Sequence, residues 1–433
     1  MSRACRHILE AAQPKPHIVP PRSACDDPGM RPESDSLLTR DEVSAVTRKA
    51  WAVPVLPPRV GLNAIFLEPR MGGLDTYVRA LVPELVRLAP EVKFSVFCNP
   101  RGRDYLEQEG WGDSVELLTH PLLGRRGLKA ISELTVLGAI AGRRVDLLHS
   151  AGMTAPLRTR AVNVVTLADV TWIVAPEPDE AGTVRLWRLV VPPVARRADR
   201  VLALSEAGAQ HLVQYLRVPR ERIDVVALAS GGSDLLTPTP AAELRARLGL
   251  GEGPVVLTVS AKKANKNLPR LIRAMVGVRA HSPDAVLVMP GNPTSHEREL
   301  RRLAEELGLA ASVVFPEYVD AADLEGLYAL ASCFVFASIN EGFGIPILEA
   351  MRRNVPVACS RASALPEVAG DAARYFDPYD VQDISNALVE LLGNGALATE
   401  LAVRGRRREA QFTWEATARG TLESYSRAWV ASR

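Results

Sequence analysis

The chain has 433 residues, 47% of them hydrophobic and 24% charged, with a net charge of +2. These are ordinary values for a globular protein with room for two domains, and the near balance of charge leaves no argument for nucleic-acid binding. The longest uncharged apolar runs, such as Leu134 to Gly142, fall well short of the roughly 20 residues a spanning helix needs.

Residues 1–58 differ from all that follows. Nine of the 32 prolines fall there, mixed with Ser, Arg and Asp and without helical or strand period. No apolar stretch of signal-peptide length occurs, and Glu10, Asp26 and Asp27 argue against a transit peptide. The segment reads as a disordered extension, with Met30 as an alternative initiator. Five scattered cysteines, Cys5, Cys25, Cys98, Cys333 and Cys359, show no Cys-x-x-Cys and no metal-ligand spacing. Cys98 and Cys333 read as small buried hydrophobes, as in a protein of a reducing cytoplasm.

From Arg59 the pattern becomes regular. Val60 to Leu67 reads as a strand, Leu74 to Leu88 as an amphipathic helix, and Lys93 to Cys98 as the next strand. Strands follow at 145–149, 163–167 and 200–204, and Ser205 is placed to cap a helix over Glu206–Leu216. Within this half, residues 127–141 carry Leu128, Ile131, Leu134, Leu137 and Ile140 between basic ends. That stretch reads first as a core helix, and second as a helix lying at a membrane surface. A linker is expected around Ser230–Gly231–Gly232–Ser233 and Thr237 to Pro240, after which the pattern restarts. Strands are expected at 254–259, 285–289, 312–315 and 333–337, with helices at 268–280, 295–307 and 322–331 between them. Short apolar strands alternating with helices specify parallel sheets covered on both faces. The fold class is therefore α/β, two Rossmann-like domains facing across a cleft, with a ligand between the carboxyl ends of the two sheets.

Residues 338–351, Ser-Ile-Asn-Glu-Gly-Phe-Gly-Ile-Pro-Ile-Leu-Glu-Ala-Met, join the last of those strands to a helix with Pro346 in its first turn. Gly342 and Gly344 sit in the turn, where a helix N-terminus presents unpaired N–H groups to phosphate oxygens. Glu341 enters the turn, and Glu349 follows with seven residues between them. A phosphate cradle flanked by two carboxylates suits a ligand with a diphosphate and several hydroxyls, a sugar nucleotide. A cationic loop, Lys262-Lys263-Ala264-Asn265-Lys266-Asn267, leaves the first strand of the second half, where an ammonium would neutralise charge on a departing diphosphate. The bland alternative is a solvated lysine-rich turn. Gly72-Gly73 opens the first helix of the first half and permits close approach of a ligand.

The string Glu-Gly-Phe-Gly-x-Pro-x-Leu-Glu-Ala-Met resembles the signature of the retaining glycosyltransferases of the two-domain GT-B fold, family 4, over about 370 residues from Arg59 on. The resemblance implies an acceptor domain at 59–235, a nucleotide-sugar-binding domain at 236–413, and a last helix at 414–433 crossing back to the first domain. It implies that Lys266 reaches the donor phosphate and that Gly72 and Gly73 lie across the cleft from the phosphates. Glu341 would hold the sugar near its anomeric centre, Glu349 the ribose, and the amides of Gly342, Phe343 and Gly344 the diphosphate. Lys262 and Asn267 complete the expected donor contacts, and Asp169 the catalytic set. The implied partners are a nucleotide-sugar donor and a carbohydrate, lipid-linked or small-molecule acceptor. The expected setting is cytoplasmic, with a peripheral membrane contact as the variant. No nucleic acid and no cofactor are expected, and with no Asp-x-Asp at a strand end, no metal.

The chain departs from the family pattern in places. Ser260 and Ala261 stand where an Arg is common, leaving Lys262 as its substitute. Ala168 stands where His usually precedes Asp169, so a contact to the transferred sugar is missing or is supplied by another group such as His149. Glu317 stands where Gly is usual beside the base, which leaves the base open. Gly291 reads equally as a nucleotide neighbour and as an ordinary strand-end glycine, and the 365–370 stretch as structural. Rival readings are a silent nucleotide-sugar binder and a glycoside hydrolase, which also uses paired carboxylates.

Overall fold

A computed structural model describes residues 51–52, 54–68, 72–123, 129–176, 181–231, 236–291, 294–316 and 319–433. The expected N-terminal extension up to residue 50, Met71 and Glu317 lie outside them. From Pro54 on, the described residues belong to one compact unit.

The first sheet holds β1 (Arg59–Ala64), β2 (Lys93–Cys98), β3 (Glu116–Leu118), β4 (Leu147–Ser150), β5 (Val162–Thr166), β6 (Arg200–Ala203) and β7 (Ile223–Val225). The second holds β8 (Val255–Leu257), β9 (Val286–Val288), β10 (Val313–Val314), β11 (Cys333–Phe336), β12 (Val357–Ser360) and β13 (Ala373–Phe376). Their orders are β3-β2-β1-β4-β5-β6-β7 and β10-β9-β8-β11-β12-β13. Every pairing is parallel, for example Val60 beside both Phe94 and Leu147, and Phe334 beside both Leu257 and Val357. In each sheet the winding reverses once, between β1 and β4 and between β8 and β11. Ligands of open parallel sheets bind outside the carboxyl ends of the strands at such a reversal.

Most strands read from the sequence are shorter in the structure. β1 stops at Ala64 because the Leu67 amide turns back to the Ala64 carbonyl at 2.9 Å. The helix Glu206–Leu216 has the expected bounds, and Ser205 Oγ accepts from the Gly208 amide as its cap. Pro346 lies in the first turn of Ile345–Arg352, as expected. In the helix Lys129–Arg144, Leu137 and Ala141 are buried and Leu134 and Ile140 pack against the core, whereas Ile131 is exposed and Gly127 and Leu128 lie outside the described residues. The core-helix reading of that stretch is the observed one.

The last helix, Trp414–Ala431, crosses back onto the first sheet. Trp414 Nε1 donates to the Ser230 carbonyl at 3.0 Å, Thr417 Oγ1 to the Ala227 carbonyl at 2.8 Å, and Ser424 Oγ to Asp224 at 2.6 Å. Deeper in, Tyr425 OH shares a 2.7 Å bond with His149 Nδ1, whose Nε2 meets Thr166 Oγ1 at 2.7 Å. Tyr77 OH joins Thr166 at 3.1 Å. His149 therefore does not face a ligand: it is wholly buried, and both ring nitrogens bond hydroxyls that can donate or accept. Burial pushes its pKa down from 6.5 to about 3.

A stability prediction follows from that shift. Between those values the unfolded chain binds a proton that the folded chain refuses. The contribution is intact above pH 6.5 and declines as pH falls toward 3, by roughly 1.4 kcal/mol per unit. Urea unfolding of His149→Gln across this window should show a pH slope flatter by about one proton; an unchanged slope contradicts the assignment.

Candidate active site

The second sheet's reversal point is built by the two loops singled out in the sequence. Leaving β8, the chain makes a 3-10 turn over Ala264–Lys266, and Asn267 follows in the left-handed region at φ 58°. Leaving β11, it runs through Ser338–Gly344 into the helix Ile345–Arg352. The two are stitched side by side. The Ile339 amide donates to the Asn265 carbonyl at 2.8 Å, and Asn265 Nδ2 donates to the Asn340 carbonyl at 3.0 Å. This register brings Lys266 Nζ to Glu341 Oε1 at 2.5 Å, with side chains only 17% and 12% exposed. The ammonium also lies 5.2 Å from the centre of the Phe336 ring. From behind, Ser363 Oγ donates to the Glu341 carbonyl at 2.6 Å.

Gly344 caps the helix Ile345–Arg352 at φ 121° and, as glycine, brings no capping side chain. A Cβ there would lie 2.9 Å from Leu365 Cδ2, so both the dihedral and the space call for glycine. This cap comes three residues after Glu341, the partner of Lys266; within the helix start Pro346 has no N–H and the Ile347 amide donates to the Gly344 carbonyl at 3.0 Å. Such an end, with the positive pole of the helix, is suited to an anion. Glu349, one turn further in, is half-buried and accepts from Tyr328 OH at 3.0 Å. Loss of water raises its pKa, against the lowering effect of that bond and of the Arg353 guanidinium.

The first lobe meets this turn directly. A Cβ on Gly342 would fall 1.7 Å from the Ala168 carbonyl oxygen and 3.2 Å from Asp169 Cβ, so the β5 loop presses against the glycine turn. Asp169 Oδ1 accepts from the Thr171 amide at 2.8 Å, which holds this loop in a tight turn, and Asn340 Nδ2 donates to Thr171 Oγ1 at 2.9 Å. Gly72 has φ 71°, and a Cβ on Gly73 would lie 4.0 Å from Ile345 Cδ1. The Gly72-Gly73 turn thus stands opposite the start of the helix Ile345–Arg352.

Residues 241–408 match the family described as Glycosyl transferases group 1, and residues 71–228 match Glycosyltransferase Family 4. The O-antigen chain mannosyltransferase B of Escherichia coli is 30% identical over 268 residues, 60% of this chain and 69% of that protein. The chain belongs to this glycosyltransferase family. It is also 32% identical over 243 residues to the serotype-specific mannosyltransferase WbdA of Escherichia coli, a match covering 55% of this chain and 30% of the relative. The chain therefore spans less than a third of that relative's length. Its fold is similar to that of Anabaena HepE in complex with UDP and glucose, with TM-score 0.67 and 19% identity, over 87% of this chain and 100% of that one.

Within this glycosyltransferase scaffold, two residues expected at the donor face inward instead. Lys262 has no exposed side chain; its Nζ donates to the Gly291 carbonyl at 2.7 Å and pairs with Glu297 at 3.3 Å. It braces the β8 and β9 loops and does not replace the common Arg. Asn267 is also buried, and its Nδ2 donates to the carbonyls of Ala337 and Pro378 at 3.2 and 2.7 Å. The polar side chain is spent on backbone carbonyls that the fold would otherwise leave unpaired. Gly291, at φ 145°, packs against the Ser260 carbonyl, where a Cβ would fall at 2.1 Å.

Sequence reasoning missed Asn265, Thr171 and Glu367. Asn265 lies inside the lysine-rich loop but carries no charge to draw notice. Glu367 bonds the amides of Glu206 and Ala207 in the other lobe, a contact between residues far apart in the chain that no local pattern signals.

Proposed function

We propose that the chain is a retaining glycosyltransferase that moves a hexose, of mannose or glucose type, from a nucleoside-diphosphate sugar to a hydroxyl acceptor. The observation that carries this reading is the juxtaposition of Lys266, Glu341 and the amides of the Gly342–Gly344 turn at the second sheet's reversal point. The mannosyltransferase names of the relatives support the sugar class.

In this mechanism the diphosphate lies on the helix N-terminus and against Lys266, which turns part of its charge from Glu341 to the phosphate. Glu341 accepts hydrogen bonds from sugar hydroxyls, and Glu349 from the ribose diol. Negative charge grows on the phosphate oxygen as the anomeric C–O bond breaks, and donors already in place stabilise it without reorganisation. The acceptor oxygen bonds the anomeric carbon on the face the diphosphate leaves, so configuration is retained. Its proton passes to the departing diphosphate, and no separate protein base is needed. Asp169 holds its loop through the Thr171 amide and stands on the acceptor side. Ala168 supplies no side-chain contact to the sugar, so donor recognition rests on Glu341 and its neighbours.

No described helix is long and apolar enough to cross a membrane. We place the reaction in the cytoplasm, the acceptor being free or presented at the membrane face. The test is a thermal-shift panel of UDP, GDP and ADP with their sugar conjugates in chelator, followed by NMR of the product of the stabilising donor. One nucleotide should raise the melting temperature, by an amount set by its concentration over Kd. The product anomer should keep the donor's configuration. Nucleotide binding without turnover on any acceptor would point to a silent binder, and sugar release from an oligosaccharide without nucleotide to a hydrolase.

A further inference from the structure

The helix Glu206–Leu216 of the first lobe points its N-terminus at the second lobe's glycine turn. Its cap, Ser205, is fully buried and serves both lobes at once. Ser205 Oγ accepts from the Gly208 amide at 2.9 Å and donates to the Gly342 carbonyl at 2.9 Å. The next two amides of the same helix end, Glu206 and Ala207, donate to the Glu367 carboxylate at 2.9 and 3.3 Å. Donors that a helix start leaves unpaired are thus satisfied from the opposite lobe.

The consequence lies in the Gly342–Phe343 peptide. In a trans peptide the carbonyl and the following N–H point in opposite directions. Holding the Gly342 oxygen toward Ser205 therefore aims the Phe343 N–H away from the first lobe's helix. A hydrogen bond to the carbonyl also polarises the peptide and strengthens its N–H as a donor.

We propose that Ser205 is a positioning residue for the diphosphate site. Its hydroxyl locks the Gly342–Phe343 peptide only when the lobes are together, so the lobe that does not carry the phosphate cradle completes it. Glu367, bonded to the same helix end, holds that closure. This inference rests on the diphosphate reading above.

The cap and the positioning role separate by substitution. Ser205→Gly keeps a tolerated N-cap but has no hydroxyl; Ser205→Asp is a good N-cap whose carboxylate cannot donate. Melting temperature, nucleoside-diphosphate affinity by calorimetry, and kcat and KM for the donor are measured on the full chain. Both variants should lose roughly tenfold in affinity and in kcat/KM, about the worth of one hydrogen bond, while Ser205→Gly, a mild change at an N-cap, should melt near the wild type. The loss in the uncharged Ser205→Gly shows that it is not charge repulsion. Activity that tracks melting temperature, with Ser205→Asp like the wild type, would overturn the proposal and leave Ser205 a helix cap. A wild-type chain that bound no nucleoside diphosphate would sink this inference together with the reading beneath it.

Discussion

Replacing Lys266 by Ala is expected to lower kcat/KM for the donor by roughly 10²- to 10³-fold, the usual cost of removing one preorganised charge-stabilising donor. The ammonium lies at the meeting of the two loops, 2.5 Å from Glu341 and largely shielded from water. In that setting its charge is screened far less than on an open surface, so it acts strongly on a phosphate placed beside it. The loss should fall on kcat as well as on nucleotide affinity, since charge on the leaving diphosphate is greatest in the transition state. Stability should change little. Asn265 Nδ2 still faces Glu341 at 3.4 Å, and the backbone bonds that stitch the loops do not involve the lysine side chain. Glu341→Ala should show a comparable loss of turnover with a smaller loss of affinity for the bare nucleotide, because it serves the sugar. Steady-state kinetics with calorimetry on both variants separates the two roles. Full activity in either variant removes that residue from the mechanism.

Gly342→Ala should be as damaging for a different reason. The new Cβ would lie 1.7 Å from the Ala168 oxygen and 2.7 Å from its carbon, closer than non-bonded atoms come. Both obstructions are backbone, so no rotamer change relieves the clash and the lobes must part. A displacement of about 1 Å between reacting groups costs on the order of 10²-fold in rate, and a loss at least that large is expected here. The residue lies in a turn outside every strand and helix, so circular dichroism should show unchanged secondary structure. Wild-type turnover by Gly342→Ala would mean that the lobes do not meet at this glycine during the reaction.

The elements that were legible in both lobes carry a local physical signal, while the helices Val381–Gly393 and Gly395–Glu409 were not read. Glu206–Leu216 announces itself by its serine cap, and Ile345–Arg352 by Pro346 in its first turn. The short β3, β7, β12 and β13 were not read. The helix Ala181–Arg197 was hidden by Pro192 and Pro193 within it. In the site, the loop carries three lysines, and only the family resemblance, not the residues themselves, singled out Lys266. The side-chain directions follow from the 3-10 turn at Ala264–Lys266 and from Glu297 on the helix His296–Glu306, which draws Lys262 inward. His149 was open as a ligand contact only because its partner, Tyr425, arrives on the last helix of the chain. Charge and glycine content marked the right loops; the direction of each side chain depended on distant partners.

In the proposed site an ammonium and a set of backbone amides hold a pyrophosphate without a divalent ion. Calorimetric titration of the chelator-treated chain with UDP, GDP and ADP tests it most directly, with Lys266→Ala in parallel. The account predicts saturable binding of at least one of the three in chelator, weakened in the variant. No heat of binding from any of them, or binding that returns only when a divalent ion is added, would contradict it.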